Sequence, residues 1–312
     1  MLKQLVDQFW ALTIDGLTIG SIYALVALGY TMVYGVLRLI NFAHSEIFMI
    51  GTMAALTVFT GLGVTRPATG LALVGLLLLA LLAGMLASGG AAVLLERVAY
   101  RPLRRRGASR LAALISAIGA SLFLQETFAL LKGRDTIALP RVMAKTDLFT
   151  IAGGVVRSDK LLVFVGAILM MIALDRFVST TRLGRGIRAT AQDPETAVLM
   201  GVDIDRVVLV TFLLGGIMAG AAGVLFSVFF ELTRNTIGFL FGIKAFTAAV
   251  LGGIGNLRGA LLGGLCLGLF ENYGAAVFGT AWKDVIAFAI LVVVLMFRPT
   301  GLLGESLVRA RA

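Results

Sequence analysis

The sequence has very few of the side chains that carry chemistry in enzymes and metal proteins. It contains one cysteine, Cys266, and one histidine, His44, in 312 residues. A Cys/His metal cluster needs several such ligands, and a catalytic triad needs its histidine beside a nucleophile. Cys266 lies in an apolar run and is expected to pack there. The sequence therefore predicts neither a catalytic site nor a metal site.

Charged residues are also scarce. They make up 14% of the chain, against roughly 25% in ordinary soluble domains, and 59% of the residues are hydrophobic. The apolar runs are about 17–25 residues long, which suits helices that cross a bilayer, and they lack the alternation of a β-barrel. We predict an all-α, polytopic transmembrane helix bundle of about eight spanning helices with one or two broken or re-entrant segments. We expect it to form a single transmembrane domain over residues 1–312.

The basic residues set the orientation of this bundle. The net charge is +10, but the lysines and arginines gather mostly in loops between the apolar runs, which argues against a nucleic-acid interface. Six arginines lie between Arg97 and Arg110 with no acid among them. By the positive-inside rule this segment is cytoplasmic. The second basic loop, residues 182–206, falls on the same side when crossings are counted.

Nine apolar segments follow one another along the chain. They cover residues 12–36, 37–59, 70–95, 111–131, 161–177, 207–230, 237–259, 260–278 and 285–297. In the first segment, Gly16 and Gly20 lie four residues apart, which predicts close packing against another helix. Residues 132–160 form a non-cytoplasmic loop with a predicted short hairpin around residues 150–158.

Two of these segments, 37–59 and 237–259, are interrupted by polar residues or glycines. Such segments point to the transport pathway in folds built from repeats, and polar groups at membrane depth usually face the bundle interior or a water-filled cavity. The residues assigned to a translocation pathway or helix break are Asn41, His44, Glu46, Lys244, Gly252, Gly253 and Gly255. The alternatives are interfacial hydrogen bonding for the first cluster, a snorkelling lysine, and purely structural glycines.

The same two segments decide on which side of the membrane each end of the chain lies. If residues 237–256 cross the bilayer, as we expect, the C-terminal tail with Arg309 and Arg311 is cytoplasmic. Counting crossings backwards then places the N-terminus outside, unless segment 37–59 is re-entrant.

The loop at 182–206 carries a short predicted helix. Pro194 suits a first helical turn, and Gly201 stands where such a helix would stop. Ala197 and Gly201 are four residues apart, so they share one helix face and allow another surface to approach closely. We interpret this helix, which also contains Glu195, as a docking element for a cytoplasmic partner. The alternative is a loop helix that only caps the bundle.

The motifs that are missing limit which energy source could drive transport by this chain. No GxxxxGK[ST] loop occurs, so the chain is not expected to hydrolyse nucleotide itself. The carboxylates Glu46, Glu126 and Glu271 lie scattered in apolar runs, and a proton-coupled carrier would often use such groups as relays. A stand-alone secondary transporter is therefore the alternative class, and a channel a more distant one. The loop helix favours an importer driven by a separate ATPase.

Three long segments, residues 20–51, 195–202 and 238–265, resemble the permeases of branched-chain amino-acid ABC importers. The resemblance runs nearly end to end, including the Arg-Pro-Thr-Gly-Leu sequence at 298–302, and it is to the permease type with the shorter N-terminus. Family members commonly have glycine after the histidine of the Asn-Phe-Ala-His sequence, where this chain has Ser45.

The resemblance implies partners, a location and site residues. A second related permease, two cytoplasmic ATPase subunits and an extracytoplasmic substrate-binding protein would complete an importer in the lipid of the bacterial inner membrane. The ATPase subunits would bind ATP, this chain would hold no cofactor, and Glu195, Ala197 and Gly201 would couple ATPase movement to the bundle. Related permeases serve urea, short amides or aromatic acids, so these substrates stay open beside branched-chain amino acids.

Overall fold

The computed structural model describes residues 8–298 and 300–304, and within them the chain is almost entirely helical. The helices are α1 (Phe9–Leu37), α2 (His44–Gly61), α3 (Gly70–Leu95), α4 (Arg101–Arg105), α5 (Arg110–Lys132), α6 (Ser158–Thr180), α7 (Arg182–Gln192), α8 (Pro194–Leu199), α9 (Ile204–Phe230), α10 (Ile237–Gly252), α11 (Leu257–Phe278) and α12 (Lys283–Phe297). A π-helical turn, Glu96–Tyr100, joins α3 to α4, and a 3₁₀ turn, Thr280–Trp282, precedes α12. The predicted all-α polytopic fold is confirmed.

Short strands complete the structure. They are β1 (Ile137–Ala138), β2 (Asp147–Ile151), β3 (Gly154–Arg157) and β4 (Leu232–Thr233). β2 and β3 pair antiparallel, which confirms the predicted hairpin, and β1 pairs with β4. The tail with Arg309 and Arg311, predicted to be cytoplasmic, lies outside the described residues.

Seven helices in the described residues are long and apolar enough to cross a membrane. They are α1, α3 with its continuation to Arg105, α5, α6, α9, α11 and α12 with its preceding turn. The chain is therefore a multi-pass membrane protein. The two interrupted segments form the shorter helices α2 and α10, of 18 and 16 residues. Together the nine helices account for the prediction of about eight spans with one or two broken segments.

The two ends of the bundle have different chemistry. We call the end formed by residues 97–110 and 182–206 the basic face, and the end that carries β2 and β3 the hairpin face. A Cβ added at Gly154 in β3 would lie 2.8 Å from the carbonyl carbon of Trp10, so α1 begins at the hairpin face. Arg38, just past α1, donates to the Gln192 carbonyl at 3.2 Å, so α1 ends at the basic face. The two ends of α1 therefore lie at opposite faces of the bundle, and the outside location of its beginning stays a prediction from the positive-inside rule.

Helices α1 and α9 occupy the centre of the bundle. About 67% and 72% of their apolar windows are buried, against 6% for α12. The predicted glycine pair lies in a close contact between α1 and α11: a Cβ on Gly20 would lie 2.8 Å from the Gly264 carbonyl oxygen, and one on Gly16 would lie 3.0 Å from the Leu269 Cα. Without side chains at these positions the two backbones pack directly on each other.

Helix α2 begins inside the bundle rather than at its surface. The interrupted segment was predicted to run from residue 37, but Arg38 is left-handed, with φ of 52°, and helix resumes at His44. The His44 ring lies against Gly29 of α1 and Gly215 of α9, both far from their helix ends. α2 then runs towards the hairpin face, where the Ala68 amide that follows it donates to the Val142 carbonyl at 2.9 Å.

Helix α10 also begins in the interior and runs the other way. Its first turn lies beside the start of α2, because a Cβ on Gly238 would be 2.9 Å from Glu46 Oε2. Its far end connects to α11, whose Arg258 pairs with Asp175 near the basic-face end of α6 at 3.6 Å. The N-termini of two helices that cross only part of the bundle therefore meet inside it, a feature of transporter folds with discontinuous helices.

Candidate functional site

Asn41 holds the turn that leads into α2. Its Oδ1 accepts hydrogen bonds from the Ala43 amide at 3.1 Å and from the Tyr100 hydroxyl at 2.9 Å. Tyr100 belongs to the π-helical turn at the basic end of α3, so Asn41 ties the entry to α2 to that turn. All these atoms are buried. Of the two interpretations given to Asn41, the geometry fits a helix break fixed by hydrogen bonds.

His44 is buried at the first position of α2 without a partner for its Nε2 atom in the described residues. Its ring packs edge-on against Tyr30, with centroids 4.7 Å apart. Nothing larger than glycine fits opposite it at position 29, because an added Cβ there would overlap the ring. The contacts of His44 are therefore those of a packed aromatic side chain.

Glu46 is fully buried in the first turn of α2. Its Oε1 accepts from Gln125 Nε2 at 2.8 Å, and from the hydroxyls of Ser121 and Ser45 at 3.2 Å each. Its Oε2 has no hydrogen-bond partner in the described residues. Glu46 thus joins α2 to α5 and keeps one free oxygen turned towards α10.

Lys244 is a paired cation in the bundle interior. Its Nζ lies 2.9 Å from Glu271 Oε1 on α11 and 2.7 Å from Asp284 Oδ1 on α12. The Tyr23 hydroxyl donates to the other Glu271 oxygen at 2.8 Å. These contacts favour a paired lysine over a snorkelling one, because the ammonium ends on two carboxylates, of which Glu271 is buried and Asp284 is half exposed. Sequence analysis missed Asp284 and Tyr23 as partners, although it noted Glu271 in an apolar run.

The three glycines at the end of α10 lie in the connection to α11. Gly253 and Gly255 have φ of 105° and 100°, a conformation that side chains rarely adopt. Gly252 packs directly on the backbone of Gly259. The Leu302 and Leu303 amides donate to the Leu251 and Gly252 carbonyls at 2.8 and 3.0 Å. These glycines end the helix and let the chain after α12 pack on it.

The assigned residues do not form a single cluster. Asn41 bonds towards α3, Glu46 towards α5, and Lys244 towards α11 and α12. Their common element is the interior junction where α2 and α10 begin. Each of these three residues connects one of the two interrupted segments to different neighbouring helices.

The loop at the basic face contains two helices, α7 and α8. The predicted short helix is present: Asp193 caps it, accepting from the Glu195 and Thr196 amides at 3.0 and 3.3 Å. The hydrogen bond from the Thr196 hydroxyl, followed by that from its amide, holds the pKa of the Asp193 carboxyl below its ordinary value. After α8, Gly201 turns the chain with φ of 81°.

The face that α8 offers to a partner differs from the predicted one. Ala197 is 3% exposed, so it packs towards the bundle and does not form an outer docking surface with Gly201. Leu199 and Met200 are instead 86% and 81% exposed. A four-residue spacing fixes which residues share a face, but not which way that face turns, and the coupling role of Ala197 stays a prediction.

Asp205 forms a further cluster that the sequence analysis missed. Its carboxylate lies 3.1, 2.6 and 2.9 Å from the guanidinium groups of Arg101, Arg104 and Arg105. Arg104 also pairs with the buried Glu96 at 3.1 Å. The arginines were interpreted only as an orientation signal. Here they also tie the basic end of α3 and α4 to the start of α9, next to the loop that carries α8.

Known proteins share this sequence over nearly its whole length. Residues 12–295 match the family model described as branched-chain amino acid transport system / permease component. The chain is 46% identical over 296 residues to the high-affinity branched-chain amino acid transport system permease protein BraD of Pseudomonas aeruginosa, covering 94% of each chain. It is 43% identical over 297 residues to the corresponding permease protein LivH of Escherichia coli, covering 93% of this chain and 94% of that one.

LivH of Salmonella typhimurium is 42% identical over the same length. The family model, over residues 12–295, covers nearly all of α1 and α12 and every helix between them, including the two interior helices. On this basis the chain is a member of the branched-chain amino acid transport permease family.

Proposed function

We propose that this chain is the membrane-spanning permease subunit of an ATP-binding-cassette importer that moves branched-chain amino acids across the bacterial inner membrane. The observation that carries the proposal is identity above 40% over nearly the full length to permease proteins of that transport system. Urea, short amides and aromatic acids are the alternative substrates, since sequence analysis left them open and no contact in the bundle interior decides among them.

The importer would contain partners on both sides of the membrane. A second related permease would complete the membrane part, two ATPase subunits would bind ATP at the basic face, and an extracytoplasmic binding protein would deliver substrate at the hairpin face. This chain would act as one permease domain with residues 182–206 as its coupling loop. It would bind neither ATP nor another cofactor and would catalyse no reaction itself.

The coupling loop has the surface that such a partner requires. Leu199 and Met200 are large, apolar and exposed on a water-facing loop, where two such neighbours have no packing of their own. Glu195 lies exposed beside them in the first turn of α8. An apolar end surrounded by polar residues is a common form of docking surface.

Movement of this loop has a direct route into the bundle. Arg38 joins the end of α7 to the chain leading into α2, and Asp205 joins α9 to the arginines after α3. In the interior, the hydrogen bond from Tyr100 to Asn41 connects the turn after α3 to the chain leading into α2. An ATPase that shifts α8 would thereby act on α2, α3 and α9 together, which is the differential coupling that transport needs.

The test is uptake of labelled leucine into proteoliposomes that contain this chain, its neighbouring permease, the ATPases and the binding protein. We expect uptake that requires both ATP and the binding protein. If loaded binding protein stimulates ATP hydrolysis but leucine does not enter, the importer class stands and the substrate is another one. Uptake driven by a proton gradient without ATPase subunits would establish the secondary-carrier alternative instead.

A further inference from the structure

Four carboxylates in the described residues are at least nine-tenths buried, and three of them have a basic partner. Glu96 pairs with Arg104 at 3.1 Å, Asp159 with Arg157 at 2.6 Å, and Glu271 with Lys244 at 2.9 Å. Glu46, 0% exposed, has no lysine, arginine or histidine nitrogen within 4.0 Å in that part of the chain. A buried charge is costly unless it is paired, so Glu46 stands apart.

Two effects act on the charge of Glu46: its complete burial opposes a charge, and the groups in contact with it stabilise one. All three groups that contact Oε1 are donors: the Gln125 amide and the hydroxyls of Ser121 and Ser45. The carboxylate also lies in the first turn of α2 and beside the first turn of α10, and helix N-termini stabilise negative charge. A carboxyl protonated at Oε2 could still accept these hydrogen bonds through Oε1, so the donors alone do not fix the charge. A charged Glu46 would need a counter-charge, which the described residues do not supply.

The free oxygen, Oε2, faces a surface without side chains. Gly238 lies directly opposite it, and Gly242, one turn further along α10, packs against Ser45. On the other side, Gln125 is half-buried, and the fully buried residues of α5 are all small: Ala113, Ala117, Ser121 and Ala129. Access of a solute to Oε2 would require a movement of α5 or of the start of α10.

We propose that Glu46 Oε2 receives the α-ammonium group of the transported amino acid during its passage. The inference rests on the proposed function and adds a substrate-binding residue to it. An ammonium supplies the missing positive charge and up to three N–H donors, while the three protein donors keep the carboxylate oriented through Oε1. Solutes without an ammonium group would leave this buried charge unpaired, so the site would also discriminate against them.

The test compares variants of the complete importer in proteoliposomes, with saturating binding protein and labelled leucine. Because a charge-assisted contact would be lost, Glu46→Gln should slow uptake by about ten- to a hundredfold. Thermal stability should not fall, since an unpaired buried carboxyl is replaced by an amide of the same shape whose oxygen can still accept from the same donors. Glu126→Gln is the matched control: Glu126 is exposed on α5 and pairs with Arg134 at 2.6 Å, so its loss should leave uptake unchanged.

A second pair of variants separates charge from shape. Glu46→Asp and Glu46→Asn are equal in size, so a charge requirement predicts uptake at least about tenfold faster with Asp than with Asn. Equal uptake by these two, or wild-type uptake by Glu46→Gln, would mean that the residue is a neutral structural acid and would overturn the inference. If the wild-type importer does not transport leucine, the proposed function falls, and the assignment of this ligand with it.

Discussion

Lys244 and Glu271 form an ion pair of 2.9 Å between α10 and α11, in the interior of an otherwise apolar bundle. Tyr23 of α1 donates to the same carboxylate, and Asp284 of α12 contacts the same ammonium. Four helices thus meet at one polar cluster, which fixes the short helix α10 to its neighbours. Because α10 is one of the two helices that start inside the bundle, this cluster determines where the interior junction can move.

Removing Lys244 should destabilise the protein more than removing the pair. Lys244→Met leaves Glu271 buried without its cation and should cost about 3 kcal/mol of unfolding free energy. Adding Glu271→Met should recover a large part of that loss, because Asp284 is half exposed and can be hydrated. Thermal unfolding of detergent-purified protein measures both, with Lys132→Met at an exposed helix end as the control. Equal loss in single and double variants would contradict the pairing.

The exposed end of α8 should govern ATPase association. Leu199→Glu should weaken binding of the ATPase subunits about tenfold or more, because an apolar contact at the centre of a docking surface is replaced by a charge. Protein stability should not change, since the side chain is 86% exposed. Gln192→Glu adds the same charge to the same loop away from the apolar end and should have little effect. Co-purification of the ATPases with each variant is the measurement.

Asp205 should contribute to coupling more than to insertion. Asp205→Asn leaves three arginines without their common carboxylate, and we expect a loss of about 1 kcal/mol, since the group is partly solvent-exposed and screened. Transport per ATP hydrolysed should fall, whereas the orientation of the loop, tested by cysteine labelling from each side, should stay unchanged. Asp135→Asn, an exposed aspartate beyond α5, is the control. Reversed labelling would show that Asp205 acts on topology instead.

The outer loops should loosen at low pH through Glu231. Partial burial opposes the charged form, but hydrogen bonds from Lys145 and Arg141 outweigh it and keep the Glu231 pKa below the ordinary 4.5. A carboxyl with a lowered pKa stabilises the fold above its unfolded pKa and loses that contribution as the pH falls through its folded pKa. The difference in melting temperature between wild type and Glu231→Gln should therefore be largest at neutral pH and disappear as the pH falls through the folded-state pKa. A difference independent of pH would exclude this role.

The contact between α1 and α11 should tolerate no added carbon. Gly20→Ala places a Cβ 2.8 Å from the Gly264 carbonyl oxygen, so the backbones must separate, at a cost of about 1–3 kcal/mol. Gly75→Ala is the control, because nothing lies within 4 Å of the added carbon on the outer face of α3. It should be neutral or slightly stabilising. Melting temperatures of the two variants in one detergent compare them directly.

Local features of the sequence were sufficient to predict the class of protein and most of its fold. Hydropathy located every long helix, arginine content predicted an orientation, and a proline, a glycine and their spacing predicted α8. These properties depend on how a residue interacts with lipid, water and its near neighbours in the chain, so they can be read without knowing the packing. The interruptions at residues 37–59 and 237–259 were visible for the same reason.

Only the tertiary structure decided what the polar residues contact. Lys244 could snorkel or pair, and its partners lie 27 and 40 residues further along the chain on two other helices. In the sequence, Glu46 does not differ from the other carboxylates in apolar runs; the structure shows that three hydrogen-bond donors and no cation contact it among the described residues. Ala197 turned inward although its spacing suited docking. The rotation of each helix about its axis, and the depth at which α2 and α10 begin, follow from packing between distant segments, which no local pattern specifies.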